Sequence, residues 1–144
     1  MKTFLDTGVL LAAWRGEELA AAALSVMADD TREFVTSQMV RLELLPKPRF
    51  EKRRREVAFY ESHFADTIAS EPLSEELGSE AEGLAARYGL AGADALQIAA
   101  ALRHGAREFY TSERPGRPLF RVTEIKVLSL CSLGTPTAGM ERRP

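Results

Sequence analysis

Four carboxylates, Asp6, Glu43, Asp94 and Glu113, stand where a chain of alternating strands and helices would bring acids together. Asp6 ends the apolar run Met1 to Leu5, and Asp94 opens the almost wholly apolar stretch Ala95 to Leu102. In a parallel α/β sheet the C-terminal strand ends and the following helix N-termini line one crevice, so acids from separate junctions converge there. Converging carboxylates without a neutralising partner call for a divalent cation, and such an ion can activate water for hydrolysis. Each acid also has a purely structural use. Asp6 and Asp94 suit helix N-caps, Glu43 could pair with Arg41 or Lys47, and Glu113 with Arg114. For Asp6 the cap would be served as well by Thr7, which leaves the carboxylate for a metal. For Asp94 the apolar helix behind it places its N-terminus in the interior. Thr111 and Ser112 add hydroxyls that can orient a carboxylate or water, or serve ordinary turn chemistry.

The elements that must position these groups follow from patterning. Residues 2 to 5 read as a strand, Thr7 to Trp14 as a helix, and Glu17 to Ala28 as a second helix rich in Ala and Leu. Phe34-Val35-Thr36 reads as a strand, and Ser37 caps a helix through Leu45 that the prolines Pro46 and Pro48 should stop. A further helix is expected over Phe50 to Phe64 and a third strand near Asp66 to Ala69, so that two helices between strands two and three form an arm beside Glu43. Ser74 opens a helix that Gly89 ends after Tyr88, and the helix carrying Asp94 runs to His104 before Gly105. Phe109 to Thr111 and Lys126 to Leu130 complete the strands. Strands separated by helices predict a three-layer α/β/α domain with a mainly parallel sheet over residues 1–130, followed by a flexible tail, 131–144.

Composition excludes several classes. The 144 residues are 45% hydrophobic and 28% charged, as in ordinary globular domains. No apolar run is long enough to span a bilayer, and Met1 to Asp6 lacks the basic start and long apolar middle of a signal peptide. No membrane and a cytoplasmic location are the expectation. One cysteine, Cys131, and two histidines, His63 and His104, do not make the usual zinc ligand set. His104 suits a helix C-terminus. There is neither a nucleophile elbow nor a glycine-rich phosphate loop. The net charge is −2, yet Arg41 to Arg55 holds seven basic residues against two acids. Lys52, Arg53, Arg54 and Arg55 within it are candidates for contact with a phosphate backbone, or else form a solvated helix face.

Four pieces in order, Phe4-Leu5-Asp6-Thr7-Gly8-Val9-Leu10-Leu11, Thr36-Ser37 with Glu43, Ala93-Asp94-Ala95-Leu96-Gln97-Ile98-Ala99-Ala100-Ala101, and Phe109-Tyr110-Thr111-Ser112-Glu113, resemble the PIN-domain ribonucleases. The likeness is to the toxin half of VapBC-type toxin-antitoxin pairs. The resemblance implies an α/β/α sheet, Mg²⁺ or Mn²⁺ held by Asp6, Asp94 and Glu43 with Glu113 assisting, and endonucleolytic cleavage of RNA. It also implies a small cognate antitoxin and a homodimer. Two positions depart from the pattern. Glu113 stands where such proteins usually have Asp, and Gly8 where Ser or Asn is common. The alternative expectation is a PIN-like domain whose site has decayed into a protein- or RNA-binding module. Haloacid dehalogenase-like phosphatases also begin with a strand and Asp, but their second Asp would fall on Gly8.

Overall fold

The computed structural model describes residues 1–133. Five strands, β1 (Lys2–Leu5), β2 (Glu33–Ser37), β3 (Ala69–Glu71), β4 (Glu108–Thr111) and β5 (Lys126–Ser129), form one sheet in the order β3-β2-β1-β4-β5. Every pairing is parallel. Helices α1 (Thr7–Arg15), α2 (Ala20–Met27), α3 (Gln38–Leu44), α4 (Pro46–Phe50), α5 (Arg54–Asp66), α6 (Glu75–Tyr88), α7 (Gly92–Arg103) and α8 (Leu130–Leu133) complete a three-layer α/β/α domain. The tail expected at residues 131–144 lies, from residue 134 on, outside the described residues.

The inner strands are apolar because both their faces are covered. Phe4, Leu5, Val35 and Phe109 are essentially fully buried, and the rings of Phe4 and Phe109 stack at 5.3 Å across β1 and β4. Truncating either ring to Ala would remove about 3–5 kcal/mol. Caps then aim the helices. Ser37 accepts from the Val40 amide and Ser74 from the Leu77 amide, while Gly16 and Gly89 take the left-handed turns that end α1 and α6.

Two expectations about the arm are corrected. The Ser37 helix does end at Leu44, just before the prolines, but Pro46 then opens the additional short α4 in its first turn, where its missing N–H goes unused. The next helix begins at Arg54, not Phe50, so three helices lie between β2 and β3. Lys52, in the left-handed region at φ 59°, makes the turn between α4 and α5. The third strand is Ala69–Glu71, because α5 continues through Asp66, the residue expected to begin the strand.

Candidate metal centre

The strand order reverses between β1 and β4, the switch point at which open α/β sheets leave a crevice beyond the strand ends. Asp6 follows β1 and Thr111, Ser112 and Glu113 end or follow β4, so both walls of that crevice carry oxygen ligands. Pairing of Leu5 with Tyr110 and a 3.1 Å bond from the Asp6 amide to the Tyr110 carbonyl hold these exits side by side.

Asp6 is the N-cap of α1, with Oδ1 accepting from the Val9 amide at 3.0 Å. The role expected of Thr7 therefore falls to Asp6 itself. Only 8% of Asp6 is exposed. Burial is the main cause that lifts its pKa to about 7; hydrogen bonds from Thr111 and Val9 oppose the rise, and the charges of Asp94 and Glu113 add to it. Asp94 is not the cap of its helix. Ala91 holds that position, and Asp94 lies in the first turn of α7, where the helix dipole still favours a negative charge. Burial, then the charges of Glu113 and Glu43, raise the Asp94 pKa. The four acids predicted from sequence thus act on one another electrostatically.

Glu43 is set by two neighbours. Its Oε1 accepts from Thr7 Oγ1 at 2.5 Å and from Gln97 Nε2 at 2.8 Å. Gln97 also accepts the Thr7 amide through Oε1 at 3.3 Å. No ion pair to Arg41 or Lys47 forms; Arg41 instead pairs with Glu61. Gln97 is the site residue that the sequence reading left without a role. It is buried and lies three residues after Asp94, hence on the same helix face. One amide in an otherwise apolar stretch was the available signal.

Glu113 is less confined. Its amide donates to Thr111 Oγ1 at 3.1 Å, and its carboxylate lies 3.7 Å from Arg117 rather than on the expected partner Arg114. Ser112 explains Gly8, since a Cβ at residue 8 would collide with Ser112 Oγ and stand 3.4 Å from Asp6 Oδ1. The serine hydroxyl fills the space that a side chain at residue 8 would take.

Among the described residues, no ion pair reaches Asp6, Asp94 or Glu43. Nor is any group of three or more Asp, Glu, His or Cys side chains among the described residues placed to hold one ion together. The donor set still fits a hard divalent cation such as Mg²⁺, which keeps several waters and needs only one or two carboxylates. Buried Asp6 and half-buried Asp94, which repel one another, are relieved by such a charge. Both histidines lie elsewhere. His63 packs against Phe34 and Phe64, and His104 Nε2 is 2.8 Å from Glu71 Oε1.

The basic stripe borders the crevice. Lys47, Pro48 and Arg53 share a cavity of about 250 Å³ with Thr7 and Glu43. Arg53 pairs with Glu51 and Glu56, whereas no ion pair among the described residues engages Lys52, Arg54 or Arg55. No helix among the described residues is long and apolar enough to cross a membrane.

Comparison with solved structures places this architecture among known ones. VapBC2 from Rickettsia felis, solved bound to a promoter DNA fragment, is similar at TM-score 0.67 and 14% identity over 90% of this chain and 98% of that one. VapC20 from Mycobacterium tuberculosis, described as a Sarcin-Ricin loop cleaving toxin, gives TM-score 0.64 and 18% identity over 86% and 98%. VapBC-1 from nontypeable Haemophilus influenzae gives 0.64 and 16% over 91% and 99%. At such identities the likeness is one of fold. A search of curated proteins returns no match. The family model for the PIN domain matches residues 3–114, which include all four acids of the crevice, and the chain belongs to the PIN-domain family.

Proposed function

We propose that this chain is a divalent-metal-dependent endoribonuclease and the toxin of a VapBC-type toxin-antitoxin pair. The observation that carries the reading is the crevice itself: Asp6 and Asp94, their pKa values raised by burial and by neighbouring acids, with no cation paired to either among the described residues. Asp6, Asp94 and Glu43 would hold Mg²⁺ or Mn²⁺. When bound, the ion lowers the pKa of water and offsets charge on the phosphorane-like transition state. Thr7 and Gln97 keep Glu43 turned toward the crevice, and Thr111 does the same for Asp6. Ser112 packs against Gly8 and closes the wall beside Asp6. Glu113, one methylene longer than Asp, reaches in from the exit of β4 and orients the attacking water. Lys52, Arg53, Arg54 and Arg55 take the RNA backbone, so binding weakens with salt.

The neighbours VapBC2 and VapBC-1, and a toxin-antitoxin complex from Klebsiella pneumoniae of TM-score 0.62, support an antitoxin as partner. A homodimer is proposed with it. Exposed Trp14 on α1 and Leu24 on α2 offer apolar surface for either contact. The test is purified, antitoxin-free protein incubated with mixed RNA and Mg²⁺ or Mn²⁺, with Asp94→Asn and an EDTA sample alongside. Metal-dependent cleavage lost in the variant is the expected result. A folded protein that neither cleaves nor gains thermal stability from Mn²⁺ would replace this reading with a binding module.

A further inference from the structure

We propose that the hollow beside the α4–α5 turn is a subsite for one unpaired nucleotide of single-stranded RNA, with the base on its apolar floor and the phosphates on its basic rim. The proposal rests on the ribonuclease reading and adds how the substrate is presented to it. The hollow measures about 320 Å³, with Pro48, Val57 and Ala58 as its apolar members and Arg49, Lys52, Arg53 and Arg54 around them. That is the scale of a small-ligand pocket.

Charge decides what fits. Arg49 shares Glu61 with Arg41, and Arg53 pairs with Glu51 and Glu56. Lys52 and Arg54 have no such ion pair among the described residues, and the left-handed backbone at Lys52 sets it at the corner of the turn. An occupant must combine a flat apolar body with negative charge. An unstacked nucleotide does so, because every base has a π-face and every linkage a phosphate. Phe50, next to Arg49, is 86% exposed, the most exposed large apolar side chain among the described residues. It stands ready to stack the neighbouring base.

Continuity favours RNA over an acidic peptide. Pro48 and Arg53 line both this hollow and the cavity that holds Thr7 and Glu43. A strand anchored by its base in the hollow passes Arg53 directly toward the acidic crevice. A base locked in a duplex cannot enter, so the subsite selects unpaired segments.

The test is binding in EDTA, where no hydrolysis occurs, of a short fluorescent single-stranded RNA, the same oligomer made abasic at each position in turn, its duplex, and inorganic tripolyphosphate. Ala58→Leu fills the floor from an exposed position and should leave the melting temperature unchanged. It is expected to weaken single-strand binding roughly tenfold while tripolyphosphate binds as before. One abasic position should reproduce the loss on the parent protein. Lys52→Ala with Arg54→Ala should weaken both ligands and flatten the salt dependence. Parental binding by Ala58→Leu, or an oligomer indifferent to every abasic site, overturns the proposal, as does an acidic amphipathic peptide that binds where RNA does not. Because binding is read without cleavage, failure of the subsite leaves the nuclease reading standing, and absence of cleavage leaves the subsite result intact.

Discussion

Two buried carboxylates on adjacent strands, Asp6 after β1 and Glu108 at the start of β4, have opposite fates. Glu108 is 9% exposed and Asp6 8%, so burial opposes ionisation of both. At Glu108 that opposition is overcome: Arg32 Nε donates to Oε1 at 2.9 Å, Thr3 Oγ1 donates to the same oxygen at 2.9 Å, and the net effect holds its pKa below the ordinary carboxylate value. Arg32 also donates to Tyr110 Oη at 2.9 Å and lies over that ring, which ties the network to the strand. At Asp6 the neighbours are acids, and the pKa rises to about 7. Burial alone therefore does not mark a site. Glu108 has its cation in Arg32, whereas no ion pair among the described residues meets the charge of Asp6, as a candidate metal ligand requires.

The largest effect should fall at the unpaired end. Asp6→Asn or Asp94→Asn is expected to lower RNA cleavage by at least about two orders of magnitude, with far-ultraviolet circular dichroism unchanged; a variant that cuts at the parental rate would sink the assignment. Stability should move the other way. The folded pKa of Asp6 exceeds its ordinary value of 3.8, so the folded state binds more protons between those values and this group makes stability fall as pH rises from about 4 to about 7. Metal-free Asp6→Asn should consequently melt higher than the parent at pH 8, since Asn retains the cap. At the paired end, Glu108→Gln leaves Arg32 short of its counter-charge and should lower stability by about 3 kcal/mol in urea titration. Equal shifts of one sign for the two substitutions would erase the distinction.

Smaller measurements sharpen it. His63, at the same end of the sheet as Glu108, is buried, and that burial depresses its pKa from 6.5 to about 4 despite Asp66. The unfolded chain then binds the extra proton between those values, so stability is lost as pH falls through that window, by on the order of 3 kcal/mol at its foot. His63→Leu should flatten the slope in thermal melts from pH 7 to pH 4. Gln97→Leu removes a donor to Glu43 and an acceptor for the Thr7 amide; a cleavage loss of about tenfold is expected, the equivalent of one hydrogen bond to a charged group. Gly8→Ala should destabilise by about 1–3 kcal/mol through overpacking against Ser112. Adding Ser112→Ala should recover part of that in a double-mutant cycle, and simple additivity would refute the contact.

Much of this was legible along the chain. The Ser37 and Ser74 caps, the Gly89 stop and every strand but the third follow from local patterning, which agrees with the tertiary environment at those places. The arm was harder. Pro46 and Pro48 read as breakers, yet a proline in the first turn opens a helix as readily as it ends one. Lys52 carries no composition signal for a left-handed turn. Among the site residues, Asp6, Glu43, Asp94 and Glu113 could be named because each interrupts an apolar pattern or ends a strand. Gln97 interrupts one too, but an amide has no charge that demands explanation until its partners are in view.

The parallel α/β/α class, the family and four candidate acids can be read along the chain, because hydrophobic period and junction position are local properties. Which carboxylates stay without an ion pair among the described residues follows from the fold. Glu108 and Arg32 are 76 residues apart, and Glu43 and Gln97 are 54 apart. The electrostatic environment of a group is the sum over everything the fold brings within a few ångströms, and no linear pattern carries that sum.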